Sequence, residues 1–426
     1  MGPNLQRAAL VVFTAISATM TILVLARRSP VGEAPPLTAL PTGSNTVNAP
    51  APAGIGPEPD PEPAVAPSAN SNWSWRTREL KIGTVHPLDV AWNPNGASIY
   101  VSADDATVRE YKLKTGELIH QASVPAQGDH IRLIFDRFIA VLRHEDASRV
   151  PVLDTTAWDR DPVLLHVGAT PGDLIELPDG KSIVSSTHDG KRISRFELPG
   201  GMRMGDMALP HSTGQLFLVR SEGRPYVAAM GALLYGGRAA GAWIDLFDPN
   251  ETPFGATRRS VSVGREPRHG AVTKHGDAIL FPDRASNTVT LLSIAGTTEL
   301  KVSGVGQTPE AAFLLLDDRY GITINSGTRT ATVVELESMK VTRTLMLDGE
   351  PRGGITSRDG RTLFVTLGGT EWPPQGSGAM VIAGDPPRIV ASLPTGKGAS
   401  AVAVSKDGTR AAIANYYDRS ITIIEP

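Results

Sequence analysis

The chain has 426 residues, a formal net charge of −3, no cysteine, 43 glycines and 34 prolines. The length fits two or three ordinary domains or one large repeat array, and the Gly/Pro content with few aromatics suits short strands joined by tight turns. The charge gives no basic field for nucleic acid, and the missing thiols exclude disulfides, thiolate metal sites, covalent c-type haem and cysteine nucleophiles.

Ala8 to Ala26 is an uncharged, mostly apolar run of 19 residues between Arg7 and the pair Arg27-Arg28. A bilayer crossing takes roughly 20 such residues. No small-x-small cleavage site precedes Arg27, so residues 1–28 are expected to be one retained transmembrane helix, a cleaved signal peptide being the alternative. Two arginines after the run against one before it argue against export, whereas a folded domain behind a single N-terminal anchor is usually exported. The expected location is the extracytoplasmic side of the cytoplasmic membrane, or outside the cell if the segment is cleaved. Residues 29–73 carry 11 prolines among Ala, Gly and Ser. That composition buries too little to fold and predicts a disordered, extended linker. At ~3.1 Å per residue it reaches on the order of 100 Å.

Residues 74–426 read as strands. The unit is clear from Leu88 to Gln121: LDVAW, the turn NPNG, ASIYVSAD, TVREYKL, the turn KTG, ELIHQAS. Alternating apolar residues and Asn-Gly or Asp-Gly turns mark hairpins. The phrase returns after Pro171, Pro267, Pro309, Pro351 and Lys397, with weaker copies near His130 and His211. Starts spaced by roughly 40 to 55 residues signal propeller blades. Seven complete units lie between Thr84 and Gly396, and the last lacks its fourth strand. RELKI at 78–82 matches ELKV at 299–302, read as a fourth strand, so residues 74–83 are expected to complete the last blade and close the ring. The fold class is therefore an all-β propeller of four-stranded antiparallel blades, eight in number, or seven if the weak copies merge with neighbours.

At IANYYDRSITIIEP and FPDRASNTVTLLSI the chain resembles the YVTN-repeat β-propellers, and Ala401–Gly408 (AVAVSKDG) resembles their Asp-Gly phrase. The resemblance covers about 74–426 and is crisp in four or five blades. It implies how a blade is made. Relatives of that kind include surface and periplasmic binding proteins, lactonases, and d1-haem or quinone domains. WD-repeat proteins look less similar: Trp158-Asp159 occurs, but no Gly-His dipeptide pairs with it and it does not recur.

Lead-in loops and second-to-third-strand loops should ring the mouth of the central channel, where propellers bind ligands. Arg268 and Arg352 hold equivalent lead-in positions, and two guanidiniums there suit a carboxylate or phosphate. The blander reading pairs each with an acid such as Glu310, Glu266 or Glu350. His86, His130, His144, His188 and His269 fall in loops of the same face, with no His-x-His or His-x₃-His spacing to favour a metal over scattered polar residues. Asp105, Asp189, Asp283, Asn325 and Glu371 offer oxygen ligands to a divalent ion, the pattern the lactonase resemblance implies, but none matches it residue by residue. GALLYGGRAAGA in the fourth unit and Thr370–Ser377 in the seventh lengthen equivalent positions. Tyr235 and Trp372 are their candidate partner-binding residues, Leu233 to Tyr235 being either strand or exposed loop. There is no Gly-x-Ser-x-Gly elbow, His-Glu-x-x-His or Walker loop. The expectation is a monomeric, non-enzymatic binding propeller with no cofactor and no nucleic acid, taking a protein or small ligand at its loop face. The alternative is a hydrolase or cofactor carrier whose site is assembled from several blades, for which a divalent ion, haem or quinone would be the cofactor.

Overall fold

The computed structural model describes residues 74–125, 127–142, 148–188, 190–235, 238–295 and 299–426. The apolar segment, the proline-rich stretch, His144, Asp189, Gly236 and Gly237 lie outside the described residues. Among the described residues no helix is long and apolar enough to cross a membrane.

The strands form eight four-stranded antiparallel sheets. Blades 1 to 7 are continuous in sequence, at 87–123, 130–166, 171–208, 212–263, 271–303, 309–346 and 353–393. Both weak copies make complete blades, the second and the fourth, which decides eight over seven. Blade 8 combines Ala399–Val404, Ala411–Asn415 and Ser420–Glu425 with Arg76–Lys81. The last two strands pair antiparallel from Arg76↔Glu425 to Lys81↔Ser420. The first strand of each blade touches the first strand of the next, and that of blade 8 touches that of blade 1.

Each blade is covered on both faces, so the second strands of several blades are buried from end to end. Ser98–Ala103, Phe138–Leu142, Thr362–Thr366 and Ala411–Asn415 are buried at every position. Alternate residues of one strand serve two different contacts. In blade 1, Ile99 and Val101 pack toward blade 8, whereas Tyr100 packs toward blade 2. The core is therefore eight slabs, one between each pair of neighbours. Burial of one large apolar side chain in such a slab contributes about 1.5–3 kcal/mol.

The recurring Asn or Asp at the end of the second strand has a structural task. Asn325 Nδ2 donates to Thr330 and Thr332 Oγ1, both at 3.0 Å, tying the second strand of blade 6 to the third. Asn415 does the same with Ser420 and Thr422 in blade 8, and Asp283 accepts from Thr288 and Thr290 in blade 5. Each is roofed by a lead-in glycine: Gly306 over Asn325, Gly396 over Asn415, Gly264 over Asp283. A Cβ on Gly306 would sit 2.8 Å from Asn325 Nδ2, at a φ of +91°. Gly306→Ala is expected to cost roughly 1–3 kcal/mol in urea denaturation. Gly304→Ala, at φ +77° with open space around it, should cost less because only the backbone term applies.

Candidate functional site

Antiparallel order places the first-to-second and third-to-fourth turns on one face of the disc. The lead-in loops and second-to-third connections lie on the other, called here the upper face. Each first strand starts at that face, beside the channel mouth.

The mouth is stitched by carboxylates. Asp89, at the start of blade 1, accepts from the N–H of Val90 at 2.8 Å and of Ile131 in blade 2 at 2.9 Å. Asp173 in blade 3 repeats this with Leu174 at 2.8 Å and Leu216 in blade 4 at 3.0 Å. Both are buried, and both receive a backbone amide that no strand ladder would satisfy. Between blades 4 and 5 Gln215 exchanges two hydrogen bonds with the backbone of Gly270. Between blades 5 and 6 the N–H of Ala312 donates to the carbonyl of His269 at 2.8 Å.

Basic side chains stand beside these stitches. Nδ1 of His130 is 3.5 Å from Asp89 and Nε of Arg132 is 3.6 Å from Asp173, with both side chains about half exposed, at 48% and 47%. His269 is exposed to the channel yet surrounded by its walls. Those walls push its pKa down to about 4, helped by the charges of His130, Arg132 and Arg268 and opposed by Asp173. His130, Arg132, Asp173, Arg268 and His269 thus share one electrostatic environment.

Arg268 and Arg352 do not form a common clamp. Arg268 is 3.0 Å from Glu266 and 3.8 Å from Glu310, and Arg284 closes a square with the same two acids at 3.1 and 3.2 Å. Burial holds the Arg268 guanidinium below its usual range, against the pull of Glu310 and Glu266. Arg352 instead donates to the carbonyls of Gly369 and Glu371, at 3.0 and 2.9 Å, and lies over the Trp372 ring at 5.3 Å. Burial pushes its pKa down to about 10. Trp372 meets Tyr416 edge to face, and Tyr416 stacks on His86 at 4.6 Å. This row of half-buried rings joins blades 7, 8 and 1.

The remaining candidates have local tasks. His188 is half-buried over Gly214, with its N–H on the carbonyl of Thr170. Asp105 pairs with Arg109 and Thr107, and Glu371 is exposed. Among the described residues no group of three His, Asp or Glu is placed to hold a metal ion. A cavity of about 340 Å³ opens between blades 6 and 7, lined by Arg329, Asp348, Glu350 and Glu371 among others. Its Glu350 is already taken by Thr370 and its Asp348 by Ser392. Tyr235 ends the strand Arg224–Tyr235, so its backbone is ladder and not loop.

Sequence reasoning passed over Asp89, Asp173, Arg132 and one buried cluster. The repeated Pro-x-Asp at 87–89 and 171–173 is a signal for the first two. The cluster lies in blade 4. His211 Nε2 is 2.9 Å from Asp245 and Arg258 is 3.0 Å from it, Ser260 Oγ also donates to it, and the His211 ring stacks on Trp243. Asp245 has no exposure. Burial alone would raise its carboxyl, but hydrogen bonds from His211 and Ser260 and the charges of His211 and Arg258 hold it below the usual range.

No family model matches the chain, and no curated protein matches it. Solved structures do. Hydrazine synthase of Kuenenia stuttgartiensis is similar with a TM-score of 0.55 at 17% identity, over 81% of this chain and 97% of that one. The C-terminal WD40 domain of Sif2 is similar with a TM-score of 0.61 at 14% identity, over 82% and 98%. Matching chains number 1710, so the fold is too widely shared to assign an activity. What these likenesses show is the eight-bladed propeller.

Proposed function

We propose that this protein is a non-enzymatic binding propeller of the YVTN-repeat kind, tethered to the extracytoplasmic side of a membrane, whose channel mouth holds a small carboxylate or phosphate ligand. The observation that carries the ligand class is that the basic side chains of the mouth stay half exposed while its acids are also held by other groups. The acids of the mouth are engaged: Asp89 and Asp173 by backbone amides, Glu266 and Glu310 by Arg268 and Arg284. Arg132 lies 3.6 Å from Asp173 yet keeps about half its side chain exposed, with the exposed His269 ring and His130 beside it. An anion there gains charge-assisted hydrogen bonds without displacing a structural carboxylate.

The apolar run Ala8–Ala26 and the proline-rich residues 29–73 support the tether. Arg76–Lys81 runs from the lower face to the upper, so a linker joining at residue 74 meets the disc opposite the mouth. The mouth would then face away from the membrane, and the same strand would fasten the ring.

Isothermal titration with sulfate, inorganic phosphate and citrate tests the site. Arg132→Ala is expected to weaken the binding at least tenfold, and failure of all three anions to bind would remove the ligand reading. Sulfate keeps its charge between pH 7 and 4, so its pH dependence reports the protein. A bound anion favours the protonated ring of His269, whose free pKa is about 4. Affinity should therefore rise as pH falls from 7 toward 4, and His269→Gln should flatten that rise. Without ligand the sign for stability is opposite. The unfolded chain binds the His269 proton more readily, so this residue's contribution is present above about 6.5 and lost as pH falls toward about 4.

A further inference from the structure

We infer that the ligand of the mouth is a monocarboxylate with an apolar body, the carboxylate set against Arg132 and the body against the inner strands of blades 6, 7 and 8. This rests on the anion reading above and narrows it to one class of ligand. The first strand of each blade is the inner edge of its sheet and touches the first strands of its neighbours, so these strands line the channel. The stitches fix their levels. The amides of Ile131, Leu216 and Ala312 each reach back to the blade before, onto the carboxylates of Asp89 and Asp173 and the carbonyl of His269. Arg132 follows Ile131 as Phe313 follows Ala312, so the two stand at one depth. In a ring of eight, blade 6 is opposite blade 2, and Phe313 lies across the channel from Arg132.

The wall on that side is apolar. Phe313, Ile355 and Ala403 hold one position in their blades, four residues after Pro309, Pro351 and Ala399. All three are partly exposed. One level up, where blades 2 and 5 carry His130 and His269, blades 7 and 8 carry Gly353 and Ala401. Side positions alternate along a strand. A Cβ on Gly354 would lie inside the wall, 3.0 Å from the Phe313 ring, whereas one on Gly353 would meet nothing within 4 Å. Gly353 therefore opens on the channel, with Ile355 below it on the same side. The wall is continuous into blades 8 and 1. Ile355 packs with Ala399 and Val402, and the Trp92 indole N–H donates to the carbonyl of Ala403 at 3.0 Å.

The two sides suit different parts of one molecule. On the polar side Arg132 stays half exposed beside Asp173, Arg268 is surrounded by Glu266 and Glu310, and His269 is held neutral at pH 7. One accessible guanidinium suits a single carboxylate better than a dianion. Against Phe313, Ile355 and Ala403 a polar body would lose water without gaining a partner, whereas hydrocarbon gains by leaving water.

Acetate, butanoate, hexanoate and hexylammonium are titrated calorimetrically at pH 7 into the full chain in detergent, with empty micelles as the blank. Each methylene removed from water is worth up to roughly fourfold in affinity, so hexanoate is expected to bind at least about tenfold more tightly than acetate. Hexylammonium, with the same body and the opposite charge, should show no saturable binding. Gly353→Leu fills the open space and should bring hexanoate down to the affinity of acetate. Phe313→Ala should give a smaller loss in the same direction, and decides if Gly353→Leu does not fold. Equal affinities for acetate and hexanoate in a chain that binds sulfate would overturn this inference and leave the anion reading standing. If sulfate, phosphate, citrate and the carboxylates all fail to bind, both fall. A chain-length gain that survives both variants, or hexylammonium as tight as hexanoate, places the hydrocarbon elsewhere and overturns the inference too.

Discussion

Deletion of residues 74–83 is expected to convert a cooperative ring into an aggregating one. The deletion uncovers Ser420–Glu425 along the whole ladder from Arg76↔Glu425 to Lys81↔Ser420. That strand is almost fully buried, with Ile421, Ile423 and Ile424 at zero exposure, and is mostly apolar and uncharged up to Glu425. A long, flat, apolar edge is a template for another chain. The deletion also removes Leu80 and Ile82 from the slab between blades 8 and 1, where they pack with Ile99, Val101, Ile421 and Ile423. Leu80→Ala alone should cost about 2–5 kcal/mol by the cavity it leaves. The full deletion should exceed that and appear in the void volume on size exclusion. A deleted chain that stays monodisperse with the parent's urea midpoint would show that the N-terminal strand decorates the ring and does not fasten it.

Asp245→Ala should be the most costly single substitution in blade 4, at about 3–5 kcal/mol. The carboxylate has no exposure and accepts from Arg258 and Ser260 while lying against His211. Removing it leaves a buried imidazole and a partly buried guanidinium without their counter-charge. Asp245→Asn keeps the shape and some acceptor capacity, and should cost less. Urea denaturation compares the two. If both match the parent, the cluster carries no stability.

Much of this architecture was readable because a propeller writes its rules locally. Asp-Gly and Asn-Gly turns, alternating apolar residues and a lead-in proline are short-range features, and each reports one blade. The unfinished last unit and the match between 78–82 and 299–302 pointed to Arg76–Lys81 as the eighth blade's outer strand, where it is observed. The YVTN-like Asn was visible as a repeat, but its contact with a glycine of the lead-in segment was not.

The site was less legible, because its partners lie in different blades. Arg268 and Arg352 are equivalent in sequence yet meet different neighbours. Two acids and Arg284 surround the first, whereas backbone carbonyls and Trp372 hold the second. Asp89 and Asp173 looked like ordinary strand residues until the amides of Ile131 and Leu216, 42 and 43 positions onward, came into view. The sequence by itself determined the repeat, the blade and the outer strand of the last one, since hydrophobic period and turn chemistry act over a few residues. Only the tertiary structure decided which charges at the mouth are engaged, which stay exposed, and that Leu233–Tyr235 belongs to a strand ladder. Those outcomes depend on groups brought together by the closure of the ring, and no short-range pattern encodes them.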